Sequence, residues 1–268
     1  MTTSNPQSVT AHLLALDPGQ FQTATQATFL EKAGKGTLSK EMLQEWLSQD
    51  RLYAQAYLRF ASLLLANIPL PSTVSPNHIN ERLVDLIVDA VTNIRRELKF
   101  FEDVARRYGL DIEANVVSPG AQSYQRLFSE IGEGIEEDTH GIIDGLALLW
   151  ATEKCYLESW TYASTFCSPA VPPEQDLDGG ALRKEFIPNW TSTEFVRFVD
   201  RCAELVDEIW TGQQGEGNGE LLERGVWRLM GTGRGKEKER LEWLKWMESF
   251  WGKILATEKI FWLDVEDY

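Results

Sequence analysis

The stretch GTLSKEMLQEWLSQDRLYAQAY, Gly36 to Tyr57, decides how the chain is read. Gly36 closes one helical pattern and Ser39 with Glu41 opens another, a glycine stop followed by a capped start. Within the new helix Trp46, Asp50, Tyr53 and Tyr57 recur at spacings of four, three and four, so they line one stripe. A carboxylate among large aromatics on an otherwise apolar stripe suits a pocket for a flat, polar ring: the aromatics bury area and Asp50 supplies directional hydrogen bonds. The bland alternative is a core helix with one satisfied polar residue.

The same helical period runs outward in both directions, without alternating β-branched and polar runs, so the expected fold is all-α with about seven main helices. The pattern predicts a polar N-terminal tail over 1–18 and helices over 21–33 and from Ser39 to 66. A third helix runs from Pro76 to Arg107, stopped by Gly109, with Leu83, Leu86, Ile87, Ala90, Ile94 and Leu98 on its apolar side. A fourth follows Ser118-Pro119 and breaks at Gly132 and Gly134. The fifth, His140 to Thr165, carries Leu146, Leu149, Trp150, Glu153, Tyr156, Leu157 and Trp160 on a face too apolar for a surface helix. The 168–191 stretch, mostly Pro169 to Asn189, reads as a long loop, and a sixth helix follows Ser192. Residues 212–236 read as a Gly-rich mobile loop, and a last helix from Glu237 to Trp262 holds Trp251, Glu258 and Phe261. No internal repeat is evident, and a single domain over 1–268 is the simplest account.

Lys and Arg number 26 against 41 Asp and Glu, and the net charge of −15 opposes nucleic acid and anionic membrane surfaces alike. No stretch approaches the roughly 18 to 20 apolar residues of a membrane span, and no basic-then-apolar leader opens the chain, so the expected compartment is cytoplasmic. Cys155, Cys167 and Cys202 lack disulfide or zinc spacing and read as free thiols. Asn189-Trp190-Thr191 matches a glycosylation acceptor but has no compartment in which to operate. Gly231 to Lys236 imitates a phosphate loop, yet Glu237 stands where a Ser or Thr is needed and no strand precedes it. Glu137 and His140 have di-iron spacing without a second copy, so no metal site is assigned.

Taken together these segments resemble the TenA or thiaminase II family, whose members adopt the haem-oxygenase-like multi-helical bundle without haem. Gly36-Thr37-Leu38 and Gln49-Asp50-Arg51-Leu52-Tyr53 with Tyr57 resemble the family segment whose Asp holds an aminopyrimidine beside aromatics. Ser118-Pro119 to Tyr124 is similar to a segment that brings a substrate-side Tyr, and Thr257 to Trp262 to one whose Glu serves as acid and base. The resemblance implies Asp50, Tyr53, Tyr57 and Tyr124 as binding residues and Glu258 as catalytic, with no cofactor, and a homo-oligomer although no heptad seam identifies its surface. One position departs: twelve residues after a helix-opening Gly such members carry a nucleophilic Cys, and here that count from Gly141 reaches Glu153. Cys155, two residues on, is rotated about 200° away. Glu153 resembles the branch in which Glu replaces Cys. The Trp190 position differs as well, since the bacterial pattern has a Tyr there.

Two carboxyls, Glu153 and Glu258, in an apolar aromatic site would have the proton affinity of at least one raised by burial and mutual repulsion, so that one could act as acid and the other as base. The expected activity is hydrolysis of an aminomethyl- or formylaminomethyl-pyrimidine from thiamin breakdown, for salvage. The alternatives are a non-catalytic binding protein for a pyrimidine-like molecule and a metal-dependent oxidase, the latter disfavoured by only three His. The two Glu could also pair with Arg59 or Arg126 and serve only the fold.

Overall fold

Gly36 ends helix α3 (Thr28–Lys35) in the left-handed conformation, φ 71°, and Ser39 Oγ then accepts the Met42 N–H at 3.3 Å to start α4 (Lys40–Ala66). A side chain at Gly36 would also strike the Asp176 carboxyl, so this turn tolerates only glycine. The computed structural model describes residues 6–72, 78–211 and 234–265, with side chains of the last segment from 237. Among them the chain is helical: α1 (Val9–Leu16), α2 (Pro18–Thr25), α3, α4, α5 (Ile79–Tyr108), α6 (Pro119–Glu136), α7 (Ile142–Ser164), α8 (Ile187–Trp190), α9 (Thr193–Thr211) and α10 (Arg234–Phe261). None is long and apolar enough to cross a membrane.

Helix α7 is buried along nearly its whole length and around most of its circumference, as expected of a helix apolar on every side. It packs on α3, α6 and α9, while α4 lies against α5 and α6, and α10 against α2 and α6. Asp144 fastens the start of α7: Oδ2 accepts the Gly141 N–H at 2.9 Å and Oδ1 accepts the Trp243 indole N–H of α10 at 2.7 Å.

Several elements differ from expectation. Of the tail expected over 1–18, the described part from residue 6 is no simple tail, because α1 buries Val9 and Leu13 and Asp207 of α9 accepts bonds from Ser8 Oγ, Thr10 Oγ1 and the Thr10 N–H. The 21–33 helix is two helices, α2 and α3, parted at Gln26-Ala27. Gly132 and Gly134 do not break α6; they let its backbone approach Leu63 and His140 closely, and the chain turns instead at Asp138, φ 58°. The 168–191 stretch is no open loop: it holds a 3₁₀ turn, a π-helical turn at Leu182–Phe186 and α8. A nearly buried Asp176–Arg183 ion pair ties it together, with Arg183 also donating to the Ser168 and Val171 carbonyls. These extra segments take the helices past the seven expected. The Pro76 start and the 212–233 part of the Gly-rich stretch lie outside the described residues, and α10 begins at Arg234 rather than Glu237.

Gly120 in the first turn of α6 meets α10 directly: an added Cβ would lie 2.5 Å from Phe261 Cα and 2.6 Å from the Ile260 carbonyl oxygen. Backbone cannot step aside as a side chain can, so Gly120→Ala should lower stability by about 1–3 kcal/mol in urea unfolding. An unchanged midpoint would show that α6 and α10 are not in this contact.

Candidate functional site

Asp50, Tyr53, Ala54 and Tyr57 of α4 form one wall of a cavity of about 190 Å³. Glu153 and Tyr156 of α7 form the facing wall, Asn93, Arg96, Glu97 and Phe100 of α5 a third, and Trp190 with Phe195 and Phe198 complete it. The α4 residues converge because i, i+3 and i+7 share a face. The α7 pair converges because a wholly buried helix presents every side to some neighbour.

The walls are joined by specific bonds. Tyr156 Oη donates to Asp50 Oδ2 at 3.0 Å, and the Tyr53 and Tyr156 rings stand parallel to within 3° with centroids 6.4 Å apart. The Trp190 indole N–H donates to Glu97 Oε1, and its ring packs on Trp160 at 4.4 Å and Phe186 at 5.0 Å. The Tyr57 hydroxyl closes no hydrogen bond of ordinary geometry and faces the Glu153 carboxyl.

Burial sets the proton affinities. It raises Glu153 to about 8, with help from the nearby Glu97 charge and against the Tyr57 hydroxyl. It raises Glu97 to about 7, opposed by the Trp190 bond and the Arg96 charge. Asp50 is pushed well above the usual carboxylate range by burial and then by Glu97, with the Tyr156 bond opposing. Glu97 and Glu153 can thus hold protons near neutral pH, and burial shifts Asp50 in the same direction.

Of the residues singled out in the sequence, Asp50, Tyr53, Tyr57 and Glu153 line this cavity. Tyr124 and Glu258 do not; they are buried behind it, where Tyr124 Oη donates to Glu258 Oε2 and Ser159 Oγ to Oε1 at 3.3 Å. The Tyr124 ring packs edge-on against Tyr53 at 4.9 Å, so the tyrosine pair stands where a shared cavity was expected. Burial raises Glu258 to about 7 against its Tyr124 and Ser159 bonds. Neither Glu pairs with the arginines considered earlier: Arg59 binds Glu133 at 2.9 Å and Arg126 donates to Gln122. Cys155 is fully buried and absent from the lining, as is Cys202.

Glu97 and Trp190 were not assigned to the site from sequence. Glu97 carried a signal, since it falls three residues after Ile94 and seven after Ala90, on the buried face of α5. Trp190 carried only the resemblance, which has a Tyr at that position; no spacing placed it in the site, because only the folded 168–191 stretch brings it to α5. Among the described residues no group of three or more His, Cys, Asp and Glu is arranged to hold a metal ion. His140 instead bonds Asp144 at 3.1 Å.

Comparison with known proteins adds a family and a fold. Residues 22–223 match the model of the TENA/THI-4/PQQC family. A Fusarium pseudograminearum protein named "Probable transcription factor" is 31% identical over 242 residues, 80% of this chain and 47% of its own length, so the chain spans about half of that relative. A Glycine max "Probable bifunctional TENA-E protein" is 23% identical over 187 residues, 70% of this chain and 73% of its own. The structure of a TenA homologue from Pyrococcus furiosus superposes with a TM-score of 0.68 at 21% identity, covering 95% of this chain and 98% of the other. A TenA family transcription regulator from a Silicibacter species gives 0.67 at 15%, covering 95% and 94%. At these identities the structures speak for the fold alone.

The raised carboxyls make stability depend on pH with a definite sign. Between the ordinary Glu value of 4.5 and about 8 the folded chain holds protons that the unfolded chain has released, so stability falls as pH rises through that window. Each proton so retained contributes a slope of up to about 1.4 kcal/mol per pH unit. Urea unfolding from pH 5 to 8 should show this decline, and Glu153→Gln should flatten it; a rising profile, or one identical in the variant, contradicts the buried-carboxyl assignment.

Proposed function

Because this chain belongs to the TENA/THI-4/PQQC family, we propose that it hydrolyses an aminopyrimidine derived from thiamin breakdown, carrying an aminomethyl or formylaminomethyl side chain. The observation that carries this reading is the convergence of Asp50, Tyr53, Tyr57 and Glu153 on one cavity, with Tyr156 bonded to Asp50. An aminopyrimidine edge offers an exocyclic N–H beside a ring nitrogen. A carboxyl whose burial favours the protonated form, as at Asp50, suits this edge: with its proton it accepts from the first and donates to the second. The aromatic lining from Tyr53, Tyr156, Trp190 and Phe198 suits a flat ring.

Glu153, near 8, is populated in both protonation states around neutral pH, which suits a group that takes a proton and returns it. With the aminomethyl compound, water oxygen bonds to the methylene carbon, the C–N bond breaks and ammonia leaves; Glu153 takes the proton from water and gives one to the departing nitrogen. With the formyl compound, water oxygen bonds to the formyl carbon, the formyl C–N bond breaks, and formate and the aminomethyl-pyrimidine separate; the same carboxyl takes the proton from water and gives one to the departing amine nitrogen. We read Glu153 as standing where thiaminase II members carry their nucleophilic Cys. No thiol lines the cavity, which supports hydrolysis over cleavage of intact thiamin. Glu258, behind Tyr124, is a positioning residue in this reading: its bond holds Tyr124 against Tyr53. The name of the Glycine max relative, a TENA-E protein, agrees with the family reading.

Purified protein mixed with each compound should convert it to the hydroxymethyl- or aminomethyl-pyrimidine, read by mass spectrometry. Folded Glu153→Gln should lose at least about 10²-fold in turnover. Wild-type protein that leaves both masses unchanged, or a variant with full turnover, overturns the proposal.

A further inference from the structure

Three acidic side chains, Asp50, Glu97 and Glu153, line the cavity, yet the one guanidinium among its lining residues is already engaged: Arg96 pairs with Glu194 at 3.2 Å near the mouth. Glu97 is hemmed in by protein, and among the described residues its hydrogen bond comes from the Trp190 indole to Oε1. Its second oxygen therefore has capacity to accept, in a space with no lysine or histidine on its walls among the described residues. A carboxylate largely removed from water and balanced only by the exposed Arg96, itself paired with Glu194, is costly in general, and a ligand that brings a full charge to it offsets that cost on binding.

The position of Glu97 adds to this. Its charge bears on both Asp50 and Glu153, raising the proton affinity of each, so the cavity gathers mutually unfavourable acids from three helices. Trp190 restrains the carboxyl from the fourth side, and that indole is itself wedged between Phe186 and Trp160. A carboxyl fixed this firmly acts as a preorganised acceptor rather than a mobile surface charge.

We propose that Glu97, anchored by Trp190, determines the specificity of this cavity by accepting an ammonium group on the ligand's side chain, so that the site selects cationic arylmethylamines over their neutral hydroxymethyl twins. The inference rests on the cavity of the preceding subsection being the binding site and deepens it by assigning the substituent end; it does not require Asp50 to read a pyrimidine.

Benzylammonium and benzyl alcohol isolate that end, having the ring and the substituent but no aminopyrimidine edge. Their affinities, measured by ligand-detected NMR titration, should favour benzylammonium by at least tenfold in the wild type. Glu97→Gln should bring the ratio within threefold, and Trp190→Phe, which keeps an aromatic ring but removes the N–H, should lower it at least threefold; circular dichroism checks that each is folded. Glu153→Gln should leave the ratio above threefold. The proposal is overturned if the wild type shows no saturable binding of benzylammonium, if the ratio in folded Glu97→Gln or Trp190→Phe equals that of the wild type, or if Glu153→Gln rather than Glu97→Gln abolishes it. Should Glu97→Gln not fold, Trp190→Phe alone decides. Failure of the hydrolysis reading appears separately, as unchanged aminopyrimidine masses.

Discussion

A carboxyl removed from water must either find donors or keep its proton, and this constraint organises the centre of the molecule. Asp50, Glu97, Glu153 and Glu258 come from four helices, and burial raises the proton affinity of each. Each meets an aromatic partner: Tyr156 for Asp50, Trp190 for Glu97, Tyr57 facing Glu153 and Tyr124 for Glu258. The pairing accounts for Tyr124, Tyr156 and Trp190, which bury large rings while presenting an O–H or N–H to an acid.

The scaffold makes that arrangement possible. A helix as apolar as α7 can only be central, and once it is central its few polar residues have nowhere to go but a cavity or a hydrogen bond. Glu153 faces the cavity, Tyr156 reaches Asp50, and Ser159 reaches Glu258, each one turn or slightly less beyond the last. The glycines at 34 and 120 allow α3 and α6 to come close enough to α7 and α10 for these bonds, since a Cβ at either position would meet backbone. Close packing and site geometry are therefore the same requirement.

The ion pair of Asp176 with Arg183 lies far from any of these acids in sequence but has a related role. It holds the 168–191 stretch in a tight series of turns, and that stretch delivers Trp190 to the cavity. Composition alone, with Pro169, Pro172, Pro173 and paired glycines, reads as open loop, because the signals that break regular helices are the same ones that build compact irregular turns. The N-terminal residues mislead for a similar reason: α1 is short and only weakly amphipathic, and Asp207, nearly two hundred residues away, secures it.

What could be read from sequence was whatever one helix contains by itself. The stripe of Asp50, Tyr53 and Tyr57, the capped start at Ser39, the core character of α7 and the all-α class follow from a period of 3.6 residues, a property of the local backbone. The family resemblance extended that reading to Glu153, Tyr124 and Glu258. Their places were decided in three dimensions: Glu153 on the cavity wall, Tyr124 and Glu258 behind Tyr53, and Glu97 with Trp190 completing the site. Those positions depend on the rotation and approach of separate helices, set by packing across the core, and no spacing along the chain records them.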